Sequence, residues 1–137
     1  LKKLLITCLF ILLATTAQAK TYDALVVSCY DADTFTLDID LGFHITMRET
    51  VRLNGIDTPE LRTKNAKEKH HGYKARDYVR GLILGQIVEI EVFKEDKYGR
   101  YLVDVIMGDT TLTEMLVSKG YGYRYDGGTK RSWADIL

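Results

Sequence analysis

The chain has 137 residues, 19 basic and 19 acidic side chains and a single tryptophan. That composition suits one modest hydrophobic core and excludes a polybasic nucleic-acid coat. Any polyanion it binds must be held by local basic groups or by a metal ion.

Residues 1–19 read as a secretory signal peptide. Lys2 and Lys3 open it, "LLITCLFILLA" is its apolar core, and "AQA" ends at Ala19, the expected cleavage point. The apolar run is shorter than the roughly 20 residues that span a bilayer. Cys8 lies inside that run and not at its end, which argues against a lipoprotein anchor. The expected mature domain is 20–137. Losing Lys2 and Lys3 takes the 19 basic residues to 17 against 19 acidic, a net charge of −2. Cys29 is then the sole cysteine, so no internal disulfide is expected, and its place in an alternating run suggests a small core residue.

Leu25, Val27 and Cys29 alternate and predict a first strand with those three facing the core. After "DAD", Phe35, Leu37 and Ile39 resume the alternation. Ile45, Met47, Val51 and Leu53 mark a third strand, with Arg48 and Arg52 on its opposite face. "NGIDTPE" follows as a polar turn holding the only proline. Residues 61–71, "LRTKNAKEKHH", have little apolar content and read as a mobile, exposed loop. From Tyr73 the period becomes helical through Ala75, Val79, Leu82 and Ile83, stopping at Gly85. Val88, Ile90 and Val92 predict a strand, "EDKYGR" a turn, and residues 101–107 another strand. Thr111 and Glu114 fit a capping box for a second helix carrying Leu112, Met115 and Leu116 and ending at Gly120. Five short strands around one small core favour closure into an OB-like barrel with packed helices, which removes open edges. A small α+β sheet fits the pattern nearly as well.

Three polar clusters fall in turns beside strands: Asp31 and Asp33, Asp57 and Glu60, and "DKYGR" with Arg100. Each alone reads as ordinary turn chemistry. Together they suggest carboxylates converging on a hard cation, which takes oxygen ligands, with Arg52 and Arg100 offering planar forks to phosphate. A cation between the carboxylates would reverse the local field and polarise phosphorus. The arginines would neutralise charge developing on it, and Glu60, with its longer side chain, would reach an attacking water.

"DADTF", "VRLNGIDTPE", "DKYGR" and "EMLVSKG", in that order, resemble the thermonuclease family of staphylococcal nuclease-like proteins over about residues 22–125. The resemblance implies a five-stranded OB barrel and a calcium-dependent nuclease acting on DNA and RNA and leaving 3′ phosphates. It implies Asp33, Asp57 and the Thr58 carbonyl as calcium ligands, with Asp31 acting through water. It makes Arg52 and Arg100 the phosphate clamp and Glu60 the general base or water-ordering group. Lys97 and Tyr98 border the terminal phosphate, and Tyr125 matches a cleft tyrosine. The expected substrates are nucleic acids, single-stranded ones favoured, for a secreted or periplasmic monomer without stable membrane insertion. The alternative is a noncatalytic OB-type nucleic-acid-binding module, although all five key side chains, Asp33, Arg52, Asp57, Glu60 and Arg100, are present.

Three departures from the family pattern stand out. Ala32 replaces the usual glycine between the first two aspartates, and ordinary backbone angles are expected there. The lysine-rich surface of some members is missing. The long third helix is absent or reduced to about two turns near "KRSWADIL", with Trp133 expected to cap the barrel base. Tyr121, Tyr123 and Tyr125 alternate as either a hydrophobic wall or a stacking platform. His70 and His71 lack zinc-like spacing. Lys64, Lys67 and Lys69 read as solvated.

Overall fold

A computed structural model describes residues 19–137. The expected leader therefore lies, apart from Ala19, outside the described residues. The elements in chain order are β1 (Lys20–Cys29), β2 (Thr34–Asp40), β3 (Thr46–Leu53), β4 (Ile56–Asp57), α1 (Ala66–Ile83), β5 (Ile87–Glu95), β6 (Tyr101–Met107), β7 (Thr110–Thr111), α2 (Leu112–Ser118), β8 (Tyr123–Arg124) and α3 (Trp133–Ile136).

Strands β3, β2, β1, β5 and β6 are neighbours in that order, and β3 also pairs in parallel with β6 through Arg52↔Leu102 and Leu53↔Val103. This second pairing closes a five-stranded barrel, the OB-like alternative and not the open sheet. Breaks in register at Val26/Ser28 and Val92/Lys94 supply the local bends that closure requires. Phe35, Leu37 and Ile39 of β2 point inward as their alternation predicts, meeting Val51, Leu53, Ile90, Val103 and Val105. Helix α1 covers this core with Ala75, Val79 and Ile83, and α2 with Leu112 and Leu116. Among the described residues, no helix is long and apolar enough to cross a membrane.

Four expectations need correction. In β1 it is Ala24 and Val26 that are buried, while Leu25 and Val27 are 40% and 37% exposed. The shift after Val26 inserts one residue and returns Cys29 to the core, so alternation read back from Cys29 selects the wrong face. Residues 61–71 are not all loop. Asn65 caps α1 by accepting from the Lys67 and Glu68 amides, and the helix runs from Ala66. The first turns are polar because little of them faces the barrel, which hides them from an apolar period. The third helix is a single turn of four residues. Trp133, which starts it, does not cap the barrel base. It packs beside the acidic turns against His71 and Tyr123.

Other local signals hold. The Thr111 hydroxyl accepts from the Glu114 amide, and Gly85 and Gly120 take positive φ where α1 and α2 stop. Ala32 is not among the described residues with positive φ, so the departure from glycine strains no backbone there.

Candidate active site

The barrel closure positions Arg52. It lies on β3 at the Leu102 pairing, opposite Thr34 of β2, so its side chain emerges beside the Asp31–Asp33 turn. The guanidinium reaches Asp33 Oδ1 at 3.3 Å and Asp57 Oδ1 at 3.2 Å, and donates to the Ile56 carbonyl at 3.3 Å. Its side chain is 14% exposed. Burial opposes its charge, but Asp33 and Asp57 outweigh burial and raise its pKa above the ordinary arginine value. One cation thus joins the first two acidic turns predicted from sequence.

Asp33 is further held by the Thr34 hydroxyl on Oδ1 and the Thr58 amide on Oδ2. Asp31 accepts from the Asp33 amide at 3.1 Å. Burial, followed by the neighbouring Asp33 charge, pushes the Asp31 pKa up to about 7. The Thr58 hydroxyl is buried and has no hydrogen-bond partner among the described residues.

Asp57 is 1% exposed and is held on both oxygens. Besides Arg52, Lys130 Nζ lies 2.7 Å from Oδ1, and the Trp133 indole N–H donates to Oδ2 at 3.2 Å. Lys130 also reaches Glu60 Oε1 at 3.4 Å. Glu60 is half exposed at 52%, and its amide donates to Glu68. Burial works against the Lys130 charge, but the bond to Asp57 raises its pKa overall.

The segment that delivers Lys130 and Trp133 is fixed by β8. Tyr123 pairs with Asp57 across the β4–β8 ladder, and its hydroxyl both donates to the Arg131 carbonyl and accepts from the Arg131 amide. Gly122 permits the close approach, because a Cβ there would lie 2.5 Å from Ile56 Cδ1. His71 anchors the same segment. Its Nε2 donates to the Gly120 carbonyl at 2.8 Å, and its ring packs on Tyr121 and Trp133, a structural role. Sequence reasoning missed Lys130 altogether and misplaced Trp133, since no local pattern links them to Asp57.

A groove of about 490 Å³ opens beside Arg52 and is also lined by Lys97, Tyr98, Arg100, Tyr125 and Lys130. Arg100 is aimed by Asp96, which accepts its Nε at 2.9 Å and its backbone amide at 3.0 Å. Tyr98 lies under both Lys97 and Arg100, at 5.1 and 5.5 Å from its ring centroid. The Tyr125 hydroxyl donates to the Gly128 carbonyl, and its ring faces Lys130. Every predicted site residue therefore lies at the acidic turns or in this adjoining groove.

The donors near Arg52 suit a hard cation in kind. Asp31, Asp33 and Asp57 offer carboxylate oxygens, and the orphaned Thr58 hydroxyl offers another oxygen without a partner. Among the described residues, no three acidic, histidine or cysteine side chains are drawn together as a ready cage. Asp33 and Asp57 are instead paired with Arg52, and Asp57 also with Lys130 and Trp133.

The chain matches the family model described as staphylococcal nuclease homologue over residues 50–133. It is 33% identical over 109 residues to the thermonuclease of Staphylococcus intermedius, covering 78% of this chain and 61% of that protein. It is 31% identical over 106 residues to the thermonuclease of Staphylococcus hyicus, covering 76% and 59%. It is 30% identical over 82 residues to the staphylococcal-like nuclease CAN1 of Arabidopsis thaliana, covering 60% and 24%. The chain thus spans at most 61% of the length of these relatives.

Proposed function

The chain belongs to the family of staphylococcal nuclease homologues, and from that premise we propose that it is a nuclease hydrolysing phosphodiester bonds of DNA and RNA. One arrangement supports the reading above all others. The Arg52 guanidinium bridges the buried Asp33 and Asp57 at the edge of a groove that Arg100 also lines.

Asp33, Asp57 and Thr58 would hold a calcium ion, with Asp31 acting through water; such an ion, when bound, polarises a phosphate oxygen. The remaining steps belong to the chain's own residues. Arg52 and Arg100 take the non-bridging phosphate oxygens and neutralise the charge that grows on them. Glu60 orders a water and accepts its proton as the water oxygen attacks phosphorus. The bond from phosphorus to the 5′ oxygen breaks, that oxygen takes a proton from solvent as it leaves, and the phosphate stays on the 3′ side. Lys97, Tyr98 and Tyr125 contact the terminal phosphate in the groove. A monomer acting on single strands, secreted or periplasmic, belongs to the same proposal, with export resting on the leader-like run before Lys20.

The test is incubation of purified protein with denatured DNA and with RNA, in calcium or in chelator. Shortening of both with calcium only, leaving 3′-phosphate ends, is expected. Arg100→Ala should lower turnover by about 10²–10³ with its thermal melt little changed, because Asp96 still accepts from the Tyr98 and residue-100 backbone amides. Folded wild-type protein that leaves both polymers intact in calcium would overturn the reading. DNA shifted but not shortened would identify a binding module.

A further inference from the structure

A second cavity, of about 420 Å³, shares no lining residue with the groove of Arg100. Four basic side chains line it, Arg62, Lys69, Arg76 and Arg80, together with Tyr30 and Tyr73, and no carboxylate does. The two acids of α1, beside this cavity, are already engaged. Asp77 pairs with Arg76 at 2.8 Å from the solvent side, and Glu68 accepts from the Glu60 amide and the Thr63 hydroxyl. Among the described residues, Arg62 and Lys69 form no ion pair.

The guanidinium groups are held in place. Arg62 lies 5.5 Å from the Tyr30 ring centroid and Arg76 4.6 Å from that of Tyr73. Arg80 gives Nε and Nη2 to the Cys29 carbonyl at 3.1 and 2.8 Å. A guanidinium has five N–H groups, so Arg80 keeps donors for a further acceptor. Like charges gathered around one hollow repel each other until an anion enters.

Chain adjacency says which anion. Tyr30 directly precedes Asp31, and Arg62 follows Glu60 by two residues. With Cα atoms about 3.8 Å apart along the chain, the cavity begins where the acidic turns end. We propose that it is a second phosphate-binding site, taking the backbone of a polynucleotide strand that extends past the scissile bond. The inference rests on the nuclease reading for its choice of ligand. It gives this chain a path for long polymer despite a near-neutral overall charge.

The test is fluorescence anisotropy in chelator, where hydrolysis is not read. The probes are a single-stranded oligonucleotide of about 16 nucleotides and a dinucleotide too short to reach both cavities. The wild type is compared with an Arg62→Gln/Arg76→Gln double variant across a salt series. The double variant should bind the long strand more weakly, with its log–log salt slope shallower by about 1.4, or ~0.7 for each lost phosphate contact. Dinucleotide binding should not change. Lys69→Gln, at an exposed helix position, should lower the slope by about 0.7 and serves if the double variant fails to fold. An unchanged slope and affinity for the long strand, an equal loss for the dinucleotide, or no long-strand binding by the wild type would each overturn the proposal. Wild-type protein that binds as expected yet fails to cleave in calcium would defeat the nuclease reading and leave this one standing.

Discussion

Asp57 has three side-chain partners, Arg52, Lys130 and Trp133, and they differ in how firmly they are held. Arg52 is 14% exposed and is shared with Asp33 and the Ile56 carbonyl. Trp133 is buried among rings. Lys130 is 44% exposed and follows a Gly127–Gly128 turn, so its ammonium is the partner that would yield to the proposed cation at Oδ1. A half-exposed ion pair is worth up to about 1 kcal/mol, so removing this competitor changes affinity by a few-fold. Lys130→Met should therefore bind calcium a few-fold more tightly by calorimetry. Lys94→Met, the same charge change in the same groove without a contact to Asp57, should not. Unchanged binding in Lys130→Met would mean that the lysine does not compete with the proposed cation, and weaker binding that it helps to hold it.

At the scale of elements, helix α1 reaches the site through a glycine. A Cβ at Gly72 would lie 2.9 Å from the Pro59 carbonyl oxygen and 3.0 Å from Leu61 Cδ2, with the Glu60 carbonyl at 3.4 Å. The helix is thus pressed backbone to backbone against the turn that carries Glu60. Alanine would gain about 1 kcal/mol of helix propensity but must push a backbone carbonyl away, at a cost of about 1–3 kcal/mol. Gly72→Ala should lower the denaturation midpoint, and well below its melting temperature it should still turn over more slowly than wild type, because Glu60 has moved. A variant as stable and as active as wild type would show that the contact relaxes freely.

The same elements show what was legible in the sequence. Strand β2 was, because Phe35, Leu37 and Ile39 alternate without interruption. Strand β1 was legible as a strand but not as a face, because one inserted residue after Val26 inverts every side chain before it. The start of α1 was written in Asn65 and Glu68, a cap and its acid three residues on, but Lys67, Lys69 and His70 hid the helix from an apolar period. At the site, residues in turns next to strands were found because their chemistry is local. Lys130 and Trp133 meet Asp57 across more than 70 positions of chain, Trp133 with |i−j| of 76. The Tyr123 register with Asp57, a two-residue pairing, together with the Tyr123–Arg131 bonds and the His71 ring, brings them there.

At the scale of the whole molecule, Cys29 reports on whether the barrel is closed. It sits at the end of β1, 1% exposed, with Arg80 bound to its carbonyl. Burial, outweighing the attraction of Arg80, pushes its thiol from 9.0 up to about 11. The unfolded chain therefore gives up this proton near pH 9.0, while the folded barrel keeps it until about pH 11. Unfolding releases a proton throughout that window, so the native state loses stability as the pH rises, by up to about 1.4 kcal/mol per pH unit. Other groups titrate in the same range, but they are common to the wild type and Cys29→Ala and cancel in their difference. Urea unfolding of both proteins from pH 8 to pH 11 should give curves that run parallel up to about pH 9 and then converge or cross, with the wild type falling faster. Curves that stay parallel through pH 11 would mean that solvent reaches the thiol in the folded state, and with it the junction of β1, α1 and the acidic turns.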